Sequence, residues 1–123
     1  MIRRLVDKRG RTMTGQEYQE KAARTINKEL TLKGQRNHAL HGMVGEIGEI
    51  HSLYQKVYQG HGEPDREHIL KEVGDLIWFI AEFLTSQGMS LDDCMETNID
   101  KLRKRYPEGF DAQHSLNRAE GDI

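Results

Sequence analysis

The sequence predicts an all-α fold, a bundle of four helices, on three observations. Four segments repeat apolar residues at helical spacing and none alternates with a period of two. Only two prolines, Pro64 and Pro107, interrupt the chain. The connections between the last three segments are short, so those helices are expected to lie antiparallel as neighbours. The predicted spans are about residues 14–32, 36–59, 65–87 and 90–106.

Each span has its own start and stop chemistry. Thr14-Gly15-Gln16-Glu17 has the form of a capping box and opens the first helix. The second begins near Arg36 and stops in Gly60-His61-Gly62. The third follows Pro64 and ends at Gly88, the residue that a left-handed C-terminal turn favours. Ser90, with Asp93 three residues on, caps the fourth, which runs to Tyr106 before Pro107 breaks it. Residues 1–13 read as a basic arm carrying Arg3, Arg4, Lys8, Arg9 and Arg11. Residues 107–123 show no period and read as an irregular tail.

Charge and composition narrow the class of function. The chain has 123 residues, with 18 Lys plus Arg against 20 Asp plus Glu. That balance lacks the basic excess of a dedicated nucleic-acid binder. The lone cysteine, Cys94, excludes an internal disulfide and a cysteine-rich zinc site and reads as a small core residue. No apolar run approaches the roughly 18 residues needed to span a bilayer, and the first residues lack a secretory apolar stretch. The expectation is a soluble protein of a reducing compartment, the cytoplasm. With only 36% hydrophobic residues the core is thin for the length, so burial against a second copy is expected.

The charges on the middle helices carry the functional information. At about 100° per residue, Glu46 falls within the apolar arc of the second helix and Glu49 at its margin. Glu72 falls inside the edge of the third helix's arc, with Asp75 just beyond it. Antiparallel packing lets Glu46, Glu49, Glu72 and Asp75 converge. Two carboxylates 5 Å apart repel by roughly 3 kcal/mol at an effective dielectric of 20, so the cluster requires protons or cations. An all-oxygen donor set suits Mg²⁺ or Mn²⁺, which keep positions open for phosphate oxygens. The alternative for any one acid pair is a solvated helix face. Gly42, Gly45, Gly48 and Gly74 lie in or beside this stretch, each costing about 1 kcal/mol relative to alanine. Close helix approach and room for a ligand are both open explanations.

The fourth helix carries a polar stripe. Asn98, Lys101 and Arg105, at i, i+3 and i+7, share a face. Asn98 points among Leu91, Cys94 and Leu102, where an amide needs partners. Lys101 and Arg105 can hold phosphate as point charge and fork, or simply be surface residues. Gln19 on the first helix is a candidate reader of a base, with a solvated amide the plainer alternative. His51 falls on the apolar side of its helix and reads as a core or interface histidine. His38 and His41 lack supporting ligands. Trp78 points away from its helix's apolar arc, towards a subunit contact or a base.

The stretches GMVGEIGEIHSLYQK, KEVGDLIWFIAEF and SLDDCMETNIDKLRKRYPEGF together resemble the MazG-type all-α nucleoside triphosphate pyrophosphohydrolases. EYQEKAART on the first helix resembles the opening of the small single-domain members. The shared pattern is E-x-x-E at Glu46 and Glu49, E-x-x-D at Glu72 and Asp75, then NIDKLRKRYP. This resemblance implies a MazG-like four-helix core, assembled as a homodimer or a dimer-of-dimers tetramer. It implies Mg²⁺-dependent hydrolysis of a nucleoside triphosphate between the α and β phosphates, giving a monophosphate and pyrophosphate. It also implies that Asn98 and Lys101 touch substrate, with Arg105 and Tyr106 in the same motif. Glu49 is the expected activator of water. A ferritin-like di-metal oxidase is a poor rival, because no glutamate precedes a histidine by three residues. A non-enzymatic helical dimerisation module is the better one. It fits a thin core but leaves inward acids unexplained.

Overall fold

The structure, a computed structural model, describes Gly10 and residues 12–123. Arg3, Arg4, Lys8, Arg9 and Arg11 of the basic arm lie outside the described residues. Among the described residues there are five helices and no strand: α1 Gly15–Ala23, α2 Leu32–Val57, α3 Arg66–Ser86, α4 Leu91–Arg105 and the short α5 Ala112–Leu116. The all-α expectation holds, and the four predicted helices are present.

Hydroxyl caps set most of the helix starts. Thr14, Thr31 and Ser90 each accept from the backbone N–H three residues on, at 3.1, 3.0 and 3.0 Å. Two spans differ from expectation. The first helix ends at Ala23, not near residue 32, and α2 begins at Leu32, not near residue 36. Local side-chain bonds compete with the helix there: the Thr25 hydroxyl donates to Ala22 O, and Asn27 Oδ1 accepts from the Glu29 N–H. The buried Gln35 amide donates to Leu30 O, tying this loop to α2. The tail also departs from expectation. Asp111 caps α5 by accepting from the Gln113 N–H at 2.7 Å.

α2 and α3 form the main interhelical interface, and α1 packs on both α3 and α4. The pairings His38 with Glu82, Gly42 with Phe79, and Glu46 with Glu72 and Asp75 show that α2 and α3 run antiparallel. Gly42 lets the helices approach closely, since a Cβ there would fall 2.3 Å from the Phe79 ring. Gly42→Val is therefore expected to destabilise the protein by about 1–3 kcal/mol through overpacking. Thermal melting checks this, and an unchanged midpoint would contradict the contact.

Among the described residues, only Ala22, Ile26, Ala39, Ala81 and Leu84 are buried hydrophobics. Leu40, Val44 and Ile47 of α2, with Leu70, Val73 and Ile77 of α3, stay exposed. The antiparallel register puts Val44 level with Ile77, and Ile47 level with Val73. One apolar stripe thus runs along a face of the hairpin, with Val44 72% and Leu70 62% exposed. α4 packs chiefly on α1, so its apolar arc is left uncovered within one chain. Cys94 and Asn98, both expected to point inward, are exposed for that reason. His51 is exposed as well.

Candidate functional site

The two central helices bring Glu46, Glu72 and Asp75 together. One carboxylate oxygen from each lies within 4.8 Å of the others. Glu46 and Glu72 are half-buried and Asp75 is exposed, so the trio sits where the helical seam opens to solvent. Glu46 Oε2 is buried with no hydrogen-bond partner among the described residues. Burial first, then a hydrogen bond to Glu72 and the charges of Asp75, Glu72 and Glu49, push the Glu46 carboxyl up to about 7. Like charges held together, with one oxygen unpartnered, are the condition a cation relieves. An all-oxygen set of three carboxylates with an open side fits a hard divalent ion such as Mg²⁺ or Mn²⁺.

Glu49 is exposed and is not one of the trio. One helical turn from Glu46, it contributes charge to the cluster, and its carboxylate stays free of the other three. Gly45, Gly48 and Gly74 face open space, so a Cβ at any of them would meet nothing within 4 Å. Of the two explanations for the glycines, Gly42 serves close approach and the other three leave room beside the acids.

Two further groups border the trio. His68 Nε2 donates to Glu72 Oε1 at 3.1 Å, one turn away on α3. Tyr18 of α1 is half-buried, and burial followed by the charge of Asp75 raises its hydroxyl's pKa. The i, i+4 spacing could have revealed His68. Tyr18 had no local signal, because it reaches Asp75 only through the packing of α1 on α3.

The other predicted residues are placed elsewhere. Gln19 is committed to the α3–α4 junction. Its amide donates to Thr85 Oγ1 at 3.0 Å and Met89 O at 2.9 Å, and its oxygen accepts from the Leu91 N–H at 2.8 Å. Its amide is thereby engaged at both ends within the chain. Arg105 is tied to the tail by a paired hydrogen bond to Asp122 at 2.8 and 2.7 Å. That bond raises Arg105 and holds the Asp122 carboxyl below its ordinary range. Tyr106 is half-buried, with its ring 5.5 Å from that of Phe110. Lys101 and Arg105 line a cavity of about 690 Å³ between α4 and the tail, together with Lys104, His114, Arg118 and Asp122. None of the four acids lines it, so a single chain does not join the polar stripe of α4 to the trio.

One buried acid escaped the sequence reading. Glu82 lies within the apolar run of α3, fully buried, with Oε1 2.7 Å from His38 Nδ1. A lone carboxylate in the run 76–84 was its only trace, and its partner lies 44 residues away in sequence. Trp78, which the sequence directed off the apolar arc, donates its indole N–H to Thr25 Oγ1 at 2.8 Å.

A helical hairpin gathering carboxylates from both helices at the mouth of an apolar seam defines a helical protein with a candidate divalent-cation centre. Residues 35–110 match the MazG nucleotide pyrophosphohydrolase domain, a span that holds all four acids and the α4 stripe. The chain belongs to that family. Over 72 residues it is 28% identical to the Gene 37 protein of Mycobacterium phage L5, a match covering 55% of this chain. The match spans 63% of the phage protein, less than two thirds of its length. No solved structure matches the chain. Among the described residues no helix is long and apolar enough to cross a membrane.

Proposed function

We propose that this protein is a Mg²⁺-dependent nucleoside triphosphate pyrophosphohydrolase, cutting between the α and β phosphates to release a monophosphate and pyrophosphate. The observation carrying this reading is the Glu46–Glu72–Asp75 trio with its unpartnered buried oxygen, set within the family match. Glu46, Glu72 and Asp75 would hold the cation, with Mn²⁺ as a substitute. When bound, the cation neutralises phosphate charge and lowers the pKa of water. Glu49, outside the trio yet one turn from Glu46, would take the proton from the attacking water. Asn98, Lys101 and Arg105 would grip phosphate from the opposite side. Arg105 must leave Asp122 to do so, and Tyr106 belongs to the same segment.

The test is product analysis on a panel of ribo- and deoxyribonucleoside triphosphates with Mg²⁺, with and without chelator. Pyrophosphate and monophosphate as first products, abolished by chelator, support the reading. Orthophosphate and a diphosphate would place the cut at the γ phosphate and refute it. Lys101→Ala is expected to lower kcat/KM by roughly 10- to 150-fold, the worth of one charge-assisted hydrogen bond, while leaving Mn²⁺ affinity unchanged. Wild-type kinetics in that variant would remove Lys101 from the site.

The working form is proposed to be a homodimer, or a tetramer built from such dimers, closed on the apolar stripe of α2 and α3 beside the trio. A non-enzymatic dimerisation module would use the same stripe, but it gives no role to a half-buried acid cluster. The enzyme reading accounts for both, acting on free nucleotides in the cytoplasm.

A further inference from the structure

Glu82 and His38 form a polar pair inside an otherwise apolar seam. The Glu82 side chain is 0% exposed and that of His38 is 51% exposed. Nδ1 of the ring donates to Glu82 Oε1 at 2.7 Å, while Oε2 is buried with no partner among the described residues. Such a carboxylate is an expensive way to hold a fold together. Desolvating it and leaving one oxygen unsatisfied costs more than an apolar side chain of similar size would. What it achieves is orientation. With Nδ1–H tied to the carboxylate, the tautomer is set and Nε2 is the ring's remaining polar atom, on a side chain half exposed to solvent. Two aromatic rings flank the imidazole edge-on, Phe79 at 5.6 Å and Trp78 at 6.4 Å between centroids.

The register of the hairpin gives the pair its meaning. His38, Gly42 and Glu46 occupy successive turns of α2, facing Glu82, Phe79 and Asp75 of α3. His38 therefore stands about 12 Å along the helix axis from Glu46 at 1.5 Å per residue. That is the reach of a nucleoside from its 5′ phosphate to the far edge of its base. A fixed imidazole with Trp78 and Phe79 as aromatic neighbours suits a heteroaromatic ring presented edge-on to Nε2.

We infer that His38, positioned by buried Glu82, reads the hydrogen-bonding edge of the substrate's nucleobase when the phosphates lie at the acid trio. This assignment rests on the hydrolase reading above. With Nδ1–H donated to Glu82, Nε2 is left as an acceptor for an amino or imide N–H. Bases are ranked by whether they bring such a hydrogen to that point.

The experiment compares wild type, His38→Ala, Glu82→Leu and Glu82→Gln on four nucleoside triphosphates and on ribose 5-triphosphate, which lacks a base. His38→Ala is expected to shrink the spread of kcat/KM among the four bases by about tenfold, mainly through KM, the scale of one lost hydrogen bond. Turnover of the baseless substrate should not change. Glu82→Leu should reproduce the loss of spread in a protein that melts no lower than wild type. Glu82→Gln keeps an oxygen for Nδ1–H and should retain the spread. An equal fall on all substrates including the baseless one, an unchanged spread, or a wild type that does not distinguish bases would overturn the assignment while leaving the hydrolase reading intact. A wild type releasing pyrophosphate from none of the five would overturn the hydrolase reading and this assignment with it.

Discussion

Glu46→Gln is expected to make the cation-free protein more stable at pH 8 and to weaken Mn²⁺ binding by about 100-fold or more. Both effects follow from one carboxyl. Burial, the hydrogen bond to Glu72 and the surrounding acid charges raise Glu46 to about 7 in the folded chain. An unfolded glutamate titrates near 4.3. Between those values the folded protein binds more protons than the unfolded one, so its stability falls as pH rises through the window. Above about pH 7 the folded group is ionised too, and the slope disappears. The melting temperature of the chelated wild type should therefore drop from pH 4.5 to pH 7.5, and the glutamine variant should lose most of that drop. Added Mn²⁺ should stabilise the wild type increasingly over the same range, because the cation competes with the proton. Melting scans at several pH values, with chelator or Mn²⁺, give all of these quantities. A flat wild-type profile, or unaltered Mn²⁺ affinity by calorimetry in the variant, would contradict the cluster.

Ile77→Asp is expected to break the proposed homodimer, raising its dissociation constant by roughly 10²- to 10⁴-fold. Ile77 is 41% exposed in the single chain, level with Val44 on a stripe continuous with Ile47 and Val73. Burying one such side chain contributes about 1.5–3 kcal/mol, and a two-fold symmetric interface would lose it twice. The introduced carboxylate adds a desolvation cost on each side. Ile77 lies between Asp75 and Phe79 on α3, so an open interface should also expose the acid trio and reduce hydrolysis. Light scattering and activity, measured across protein concentration, test the two effects together. A wild type that is monomeric at micromolar concentration with full activity would remove the dimer from the mechanism.

Helix type, helix order and the starting points of α1, α3 and α4 were legible because they rest on local physics. Capping hydroxyls at Thr14 and Ser90, and Pro107 after α4, act within one turn, and the structure places helix ends beside them. The end of the first helix was less legible. Whether Thr25 and Asn27 bond their own backbone or let the helix continue depends on Gln35 and Trp78, which reach that loop from other helices. The acid pattern was legible for the same local reason as the helices. Spacing by three puts Glu72 and Asp75 on one side, and antiparallel pairing adds Glu46.

The amino-acid sequence by itself determined that this chain is helical, that carboxylates from two helices meet, and which family it joins, since periodicity, caps and ordered motifs are properties of the chain. Tertiary structure alone decided how each polar group is used. Gln19 became a junction staple because α1 lies across the α3–α4 turn. Arg105 was drawn to Asp122 because the tail folds back on α4. Glu82 was buried against His38 because Gly42 lets Phe79 settle onto α2 and close the seam. Each outcome joins groups far apart in sequence, and desolvation, which sets their energies, arises only once the helices pack.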